Sequence, residues 1–155
     1  MGHSKPLAIE LFAGLFGWGD GLVAEGYETV GFDIVNMFAE LGMVRRREFN
    51  LVLQDVLTLH GKQFKDAALI VASPPCQEYS YMAMPWSRAK AIAAEYRSGV
   101  RGTKKLTALF DACFRIQREA IEASGHFIPL VVENVRGAIP WVGRSRANYG
   151  SYHLW

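Results

Sequence analysis

Short apolar runs alternate along this chain with amphipathic or turn-rich stretches, and run length separates strands from helices. Residues 7–12, 28–34, 50–56, 68–72 and 127–133 are rich in Leu, Ile, Val and Phe and read as five strands. Residues 36–47 carry helical spacing at Phe38, Leu41 and Val44. They close on Arg45, Arg46 and Arg47, a cluster that suits a helix C-terminus. The longest helix is predicted over 106–123, with Leu106, Leu109, Phe110, Cys113, Phe114 and Ile121 mostly on one face and Gly125 as its stop. A shorter one is expected over 21–25, closed by Gly26. Strands alternating with helices predict an α/β fold built on a doubly wound, mostly parallel, Rossmann-like sheet.

Composition narrows the class. Of 155 residues, 50% are hydrophobic and 21% charged, which places the chain among folded globular proteins and predicts one domain over 1–155. The chain closes on the aromatic, strand-like Tyr149, Tyr152 and Trp155, where frayed polar residues are the norm. The domain is therefore expected to continue past Trp155 or to be completed by a second polypeptide. The two cysteines, Cys76 and Cys113, form no C-x-x-C motif, so neither a metal nor a disulfide scaffold is expected. With no basic-then-apolar leader and no apolar stretch near the roughly 20 residues that span a bilayer, the expected location is the cytoplasm.

A net charge of +2 does not mark a nucleic-acid binder. Its distribution is more telling. Between residues 87 and 105, Arg88, Lys90, Arg97, Arg101, Lys104 and Lys105 face the single acid Glu95, a net of +5 just after Cys76. The segment reads either as a solvated face or as a mobile loop laid on a phosphate backbone.

The candidate chemistry sits at strand ends, where open α/β sheets keep their ligands. After the first strand comes a turn with glycines at 14, 17, 19 and 21. It fails the dinucleotide pattern G-x-G-x-x-G because Leu22 holds the last required position. A nucleotide ligand without a pyrophosphate is compatible with it. Asp33, 19 residues after Gly14, is placed to accept from ribose hydroxyls, or else serves as a turn aspartate. Asp55, at the third strand's end, reads as a turn former unless it borders the same pocket. The fourth strand delivers Cys76 behind Pro74 and Pro75, which stiffen the backbone before the thiol. Cys113, on an apolar helix face, reads as a structural cysteine. The fifth strand delivers Glu133, whose carboxyl is expected to be buried, with a raised pKa that lets it donate to a ring nitrogen. A salt bridge to Arg136 is the alternative.

Together these segments resemble the C5-cytosine DNA methyltransferases. Glu10-Leu11-Phe12-Ala13-Gly14-Leu15-Phe16-Gly17 is similar to that family's first motif, and Pro74-Pro75-Cys76-Gln77-Glu78-Tyr79-Ser80 to its catalytic proline-cysteine motif. Glu133-Asn134-Val135 is similar to the motif whose glutamate grips the target cytosine, and Arg144-Ser145-Arg146 more loosely to the arginine pair that follows. The resemblance implies S-adenosylmethionine as cofactor, held by Phe12, Ala13, Gly14, Gly17, Asp33, Asp55 and Pro75. It implies double-stranded DNA as partner, Cys76, Glu133 and Arg146 as catalytic residues, and Pro74, Gln77, Ser80, Asn134, Val135 and Arg144 against the substrate. The function implied is DNA methylation by base flipping, as in restriction-modification. Phe16 stands where the family has glycine, and its ring is expected to narrow the methionine end of the pocket. Two further readings stay open: a transfer-RNA cytosine methyltransferase, and a non-catalytic or split half-enzyme that needs a partner for DNA recognition.

Overall fold

The computed structural model describes residues 4–77, 79, 86–100 and 102–155. Glu78, Ser80 and Arg101 lie outside the described residues. Five strands form the parallel part of one sheet: β1 (Leu7–Leu11), β2 (Glu28–Asp33), β3 (Phe49–Leu53), β4 (Leu69–Ala72) and β5 (Leu130–Val135). A hairpin of β6 (Ala147–Tyr149) and β7 (Tyr152–Leu154) adds to β5 in the antiparallel sense, giving the order β3-β2-β1-β4-β5-β7-β6. The order reverses at β1, so the crevice beyond the carboxyl ends of β1 and β4 is the expected ligand site.

The core lies between the sheet and α4 (Thr103–Ser124), whose Leu106, Phe110, Cys113, Ile116 and Ala120 are buried. Spacings of three and four put these five on one stripe. Phe114 and Ile121, expected on that face, sit at its partly buried margin. Gly125 ends the helix in the left-handed conformation (φ 75°), which glycine adopts without a Cβ clash.

Three elements depart from expectation. The helix expected over 36–47 is a single turn, α2 (Met37–Glu40), capped by the Asn36 side chain and broken by Gly42 at φ 65°. Arg46 turns away to pair with Asp20 and Glu48 and to lie over the Phe49 ring. The third strand stops at Leu53 rather than Val56. There Asp55 Oδ1 accepts from the Leu57 N–H at 2.9 Å and bends the chain into a 3-10 turn, Val56–Thr58. The fifth strand runs on to Val135, so Glu133 lies inside it and not at its end, because β7 supplies partners for Glu133, Asn134 and Val135.

Of the two readings of the basic segment, a solvated face or a mobile loop, the structure forms the first over much of its length, as a helix. Alongside the short helix α1 (Gly19–Ala24), the chain forms α3 (Trp86–Arg97), which buries Ala89, Ala93 and Tyr96 and exposes Arg88 and Arg97.

Candidate active site

The turn after β1 is held from three sides. Asp33 Oδ2 accepts from the Gly14 N–H at 2.9 Å and its Oδ1 from the Val35 N–H at 3.1 Å. Glu10 Oε1 accepts from the Trp18 N–H at 3.1 Å. Trp18 Nε1 donates to Ser73 Oγ at 2.9 Å, which ties the glycine turn to the loop that carries Cys76. Phe12 adopts a left-handed backbone (φ 59°), a conformation that costs a non-glycine residue about 1–3 kcal/mol and that clusters at functional sites.

Phe16 shares that left-handed φ of 59°, which is why a glycine suits its position. Its ring does not narrow the cofactor side. It is buried, stacked on Phe49 at 4.7 Å between centroids, and clustered with Ala13 and Phe38. Gly31 makes room for it, since a Cβ there would come within 2.5 Å of the Phe16 ring.

Two cavities open at the strand ends. The first, about 440 Å³, is lined by Phe12, Gly14, Asp33, Asp55, Pro75 and Gln77, among others. Space beside Gly14 is open, for an added Cβ would meet nothing within 4 Å. Asp55 both caps the 3-10 turn and borders this cavity, so its two readings hold together. The second, about 480 Å³, is lined by Gly17, Trp18, Ser73, Glu133, Tyr149, Tyr152 and Leu154. Ser73 is common to both.

The loop with Cys76 is fixed against β5. Asn134, buried, donates from Nδ2 to the Pro74 carbonyl at 2.9 Å and accepts from the Val135 N–H at 2.8 Å. The Cys76 carbonyl accepts from the Tyr79 N–H at 2.9 Å, and the Tyr79 hydroxyl donates to the Leu106 carbonyl. Cys76 is half-buried, between two residues of the first cavity. Cys113 is fully buried, and desolvation pushes its thiol up to about 12, which suits the inert role expected of it.

Some predicted residues fall elsewhere. Ala13 packs with Phe16 and lines neither cavity, and Gly17 borders the Glu133 cavity rather than the first one. Glu133 is half-buried, not buried, and among the described residues no ion pair joins it to Arg136. The arginine pair is split. Arg144 and Val135 face a third cleft, whereas Arg146 is exposed and lines none of the three.

Sequence reasoning passed over Trp18, Ser73, Tyr149 and Tyr152 as site residues. The two tyrosines flank Gly150-Ser151, a hairpin signal that would have put both beside the strand they pair with. In the sequence Glu10 stands out only as the first residue of the glycine-turn motif. It is 1% exposed, its Oε2 has no hydrogen-bond partner, and burial raises its pKa to about 7, against the opposing hydrogen bonds from Trp18 and Gly19. Because the folded pKa lies above the unfolded 4.5, the folded state binds the extra proton. Stability should therefore fall as pH rises from about 4.5 to 7, by up to about 3 kcal/mol. Urea melts at pH 5 and 8 should show this loss in the native chain and little of it in Glu10→Gln. An equal loss in both assigns the effect to another group.

A sheet of this order with its cavity at the switch point defines a Rossmann-like methyltransferase fold. The family model for the C-5 cytosine-specific DNA methylase matches residues 7–138, and the chain belongs to that family. Among solved structures it is similar to a protein described as a DNA modification methyltransferase encoded within a prophage of E. coli. That match has 20% identity and a TM-score of 0.56, and covers 87% of this chain and 33% of the other. It is also similar to the Dnmt2 methyltransferase of S. pombe, with 18% identity and a TM-score of 0.54, covering 90% of this chain and 37% of the other. The chain thus spans about a third of the length of these two structures. No curated protein matches it. Among the described residues, no helix is long and apolar enough to cross a membrane.

Proposed function

We propose that this chain carries the catalytic and cofactor-binding part of a DNA cytosine-5 methyltransferase, a single domain over 1–155. The observation that carries the reading is the Asn134–Pro74 hydrogen bond, which joins the strand of Glu133 to the loop of Cys76 within a chain of this family. The cofactor is S-adenosylmethionine, and the first cavity fits it. Two carboxylates stand at neighbouring strand ends for hydroxyl and amino donors, Phe12 offers an apolar ring, and Gly14 leaves its edge open. Bound there, it supplies an electrophilic methyl group.

The chain's own residues prepare the base to receive it. A cytosine flipped from the duplex, at a cost of a few kcal/mol, enters the Glu133 cavity, where Tyr149 and Tyr152 offer ring faces. Cys76 thiolate adds to C6 as the C5=C6 double bond opens, which makes C5 nucleophilic. Glu133 holds the N3 and N4 edge and stabilises the charge that develops there. After C5 is methylated, loss of its proton restores the double bond and expels Cys76. Arg146, exposed just ahead of β6 and outside the lining of the Glu133 cavity, is assigned to the base on the family resemblance alone.

Ser80, Gln77, Val135 and Arg144 belong to this proposal as substrate contacts. So do a second polypeptide or further region for target recognition, a restriction-modification setting and a cytoplasmic location. Covalent trapping tests it. DNA carrying 5-fluorocytosine blocks proton loss, so with S-adenosylmethionine the chain should remain bonded to DNA on a denaturing gel, dependent on Cys76. No shift, also with the recognition region restored, would sink the reading.

A further inference from the structure

The largest of the three cavities, about 1090 Å³, lies across the β6–β7 hairpin from Glu133. Tyr152 and Leu154 line the Glu133 cavity, while Ser151 and His153 line this cleft, as alternation along a strand requires. The hairpin is thus a wall with a different site on each face. Its tip, Gly150-Ser151, borders the cleft, so the two sites meet around the tip.

The chemistry of the cleft is cationic. Arg136 and Arg144 line it, and among the described residues no carboxylate does. Among the described residues neither guanidinium has an ion-pair partner. Ser145 Oγ lies 2.9 Å from His153 Nδ1. When Nδ1 carries the proton it donates to Ser145, and the hydroxyl proton is free for an outside acceptor. Tyr79 forms part of the wall, and its N–H binds the Cys76 carbonyl, so the cleft adjoins the nucleophile's loop.

We infer that this cleft is a phosphate site that grips the backbone of the DNA strand carrying the target cytosine. Resting on the function proposed above, it takes the phosphates as the flipped base enters the cavity on the other face of the hairpin. Arg136 and Arg144 supply charge and forked donors, and Ser145 a hydroxyl donor.

The test is the salt dependence of duplex DNA binding by the native chain and by the double variant Arg136→Gln/Arg144→Gln. Losing two phosphate contacts should make the slope of log affinity against log salt shallower by roughly two. The loss of affinity between about 50 and 200 mM salt should shrink about tenfold. S-adenosylmethionine affinity should stay unchanged, and Arg136→Lys/Arg144→Lys should restore the slope. If the double glutamine variant does not fold, each single variant should remove about one unit of slope. An unchanged slope in folded variants overturns the proposal, as does a lower melting temperature alone, which would mean the arginines hold another segment of protein. Trapping on 5-fluorocytosine DNA separates the two readings. A native trap with an unchanged slope sinks the cleft alone, whereas an arginine-dependent slope without a trap sinks the methyl-transfer reading and keeps the cleft.

Discussion

Replacing Cys76 by serine should lower methyl transfer by at least about 10⁴-fold while S-adenosylmethionine affinity stays within about twofold. The two quantities separate because the cavity proposed for the cofactor is lined by Cys76's neighbours Pro75 and Gln77, whose backbone the substitution leaves in place. That backbone is held by two prolines, by Asn134 on the Pro74 carbonyl and by Tyr79 on the Cys76 carbonyl. Serine fits the same space, so the fold should persist. What disappears is the soft, polarisable sulfur nucleophile, which a serine hydroxyl does not replace. Single-turnover methylation and calorimetric cofactor titration read the two effects. Equal loss of both would make Cys76 part of the scaffold and remove it as nucleophile.

The second large effect concerns stability. Gly61→Ala should destabilise the fold by about 3 kcal/mol or more, read as a drop in the urea midpoint. A Cβ at Gly61 would lie 2.0 Å from the Ile116 carbonyl oxygen and 2.8 Å from Glu119 Cβ. The first is backbone of α4, which cannot rotate aside. The 3-10 turn Gly61–Phe64 must then lift off the helix and break the bond from the Gly61 N–H to Glu119 Oε2, now 2.6 Å. Arg115, which joins Glu119 to the Leu59 carbonyl, loses its frame as well. Because α4 also carries Leu109 of the cofactor cavity and the Leu106 carbonyl that receives Tyr79, cofactor affinity should fall along with stability. A midpoint shift below about 1 kcal/mol would mean that α4 moves freely at this contact.

The strands could be read before the fold was known because each is a short apolar run bounded by Gly, Pro or Asp, and burial in a parallel sheet leaves that mark on composition. The catalytic candidates stand out in the sequence for a related reason. Glu133 directly follows an apolar run and Cys76 follows one after Ser73-Pro74-Pro75, where a structural role gives a carboxylate or a thiol little to do. Boundaries fared worse wherever a distant partner set them. Periodicity at Phe38, Leu41 and Val44 predicts a helix to Arg47, but Gly42 breaks it, and the Asp20 and Glu48 carboxylates claim Arg46.

The sequence by itself determined the α/β class, the family and the residue types placed at the strand ends, because local runs and motifs carry that information. Only the tertiary structure decided which side chains share a cavity. Glu133 became an interior strand residue because β7 pairs with it, and Arg144 went to a separate cleft because the hairpin stands between them. Phe16 left the cofactor side because Gly31 and Phe49 make a pocket for its ring. Such outcomes depend on contacts between residues far apart in the chain, and no local pattern encodes them.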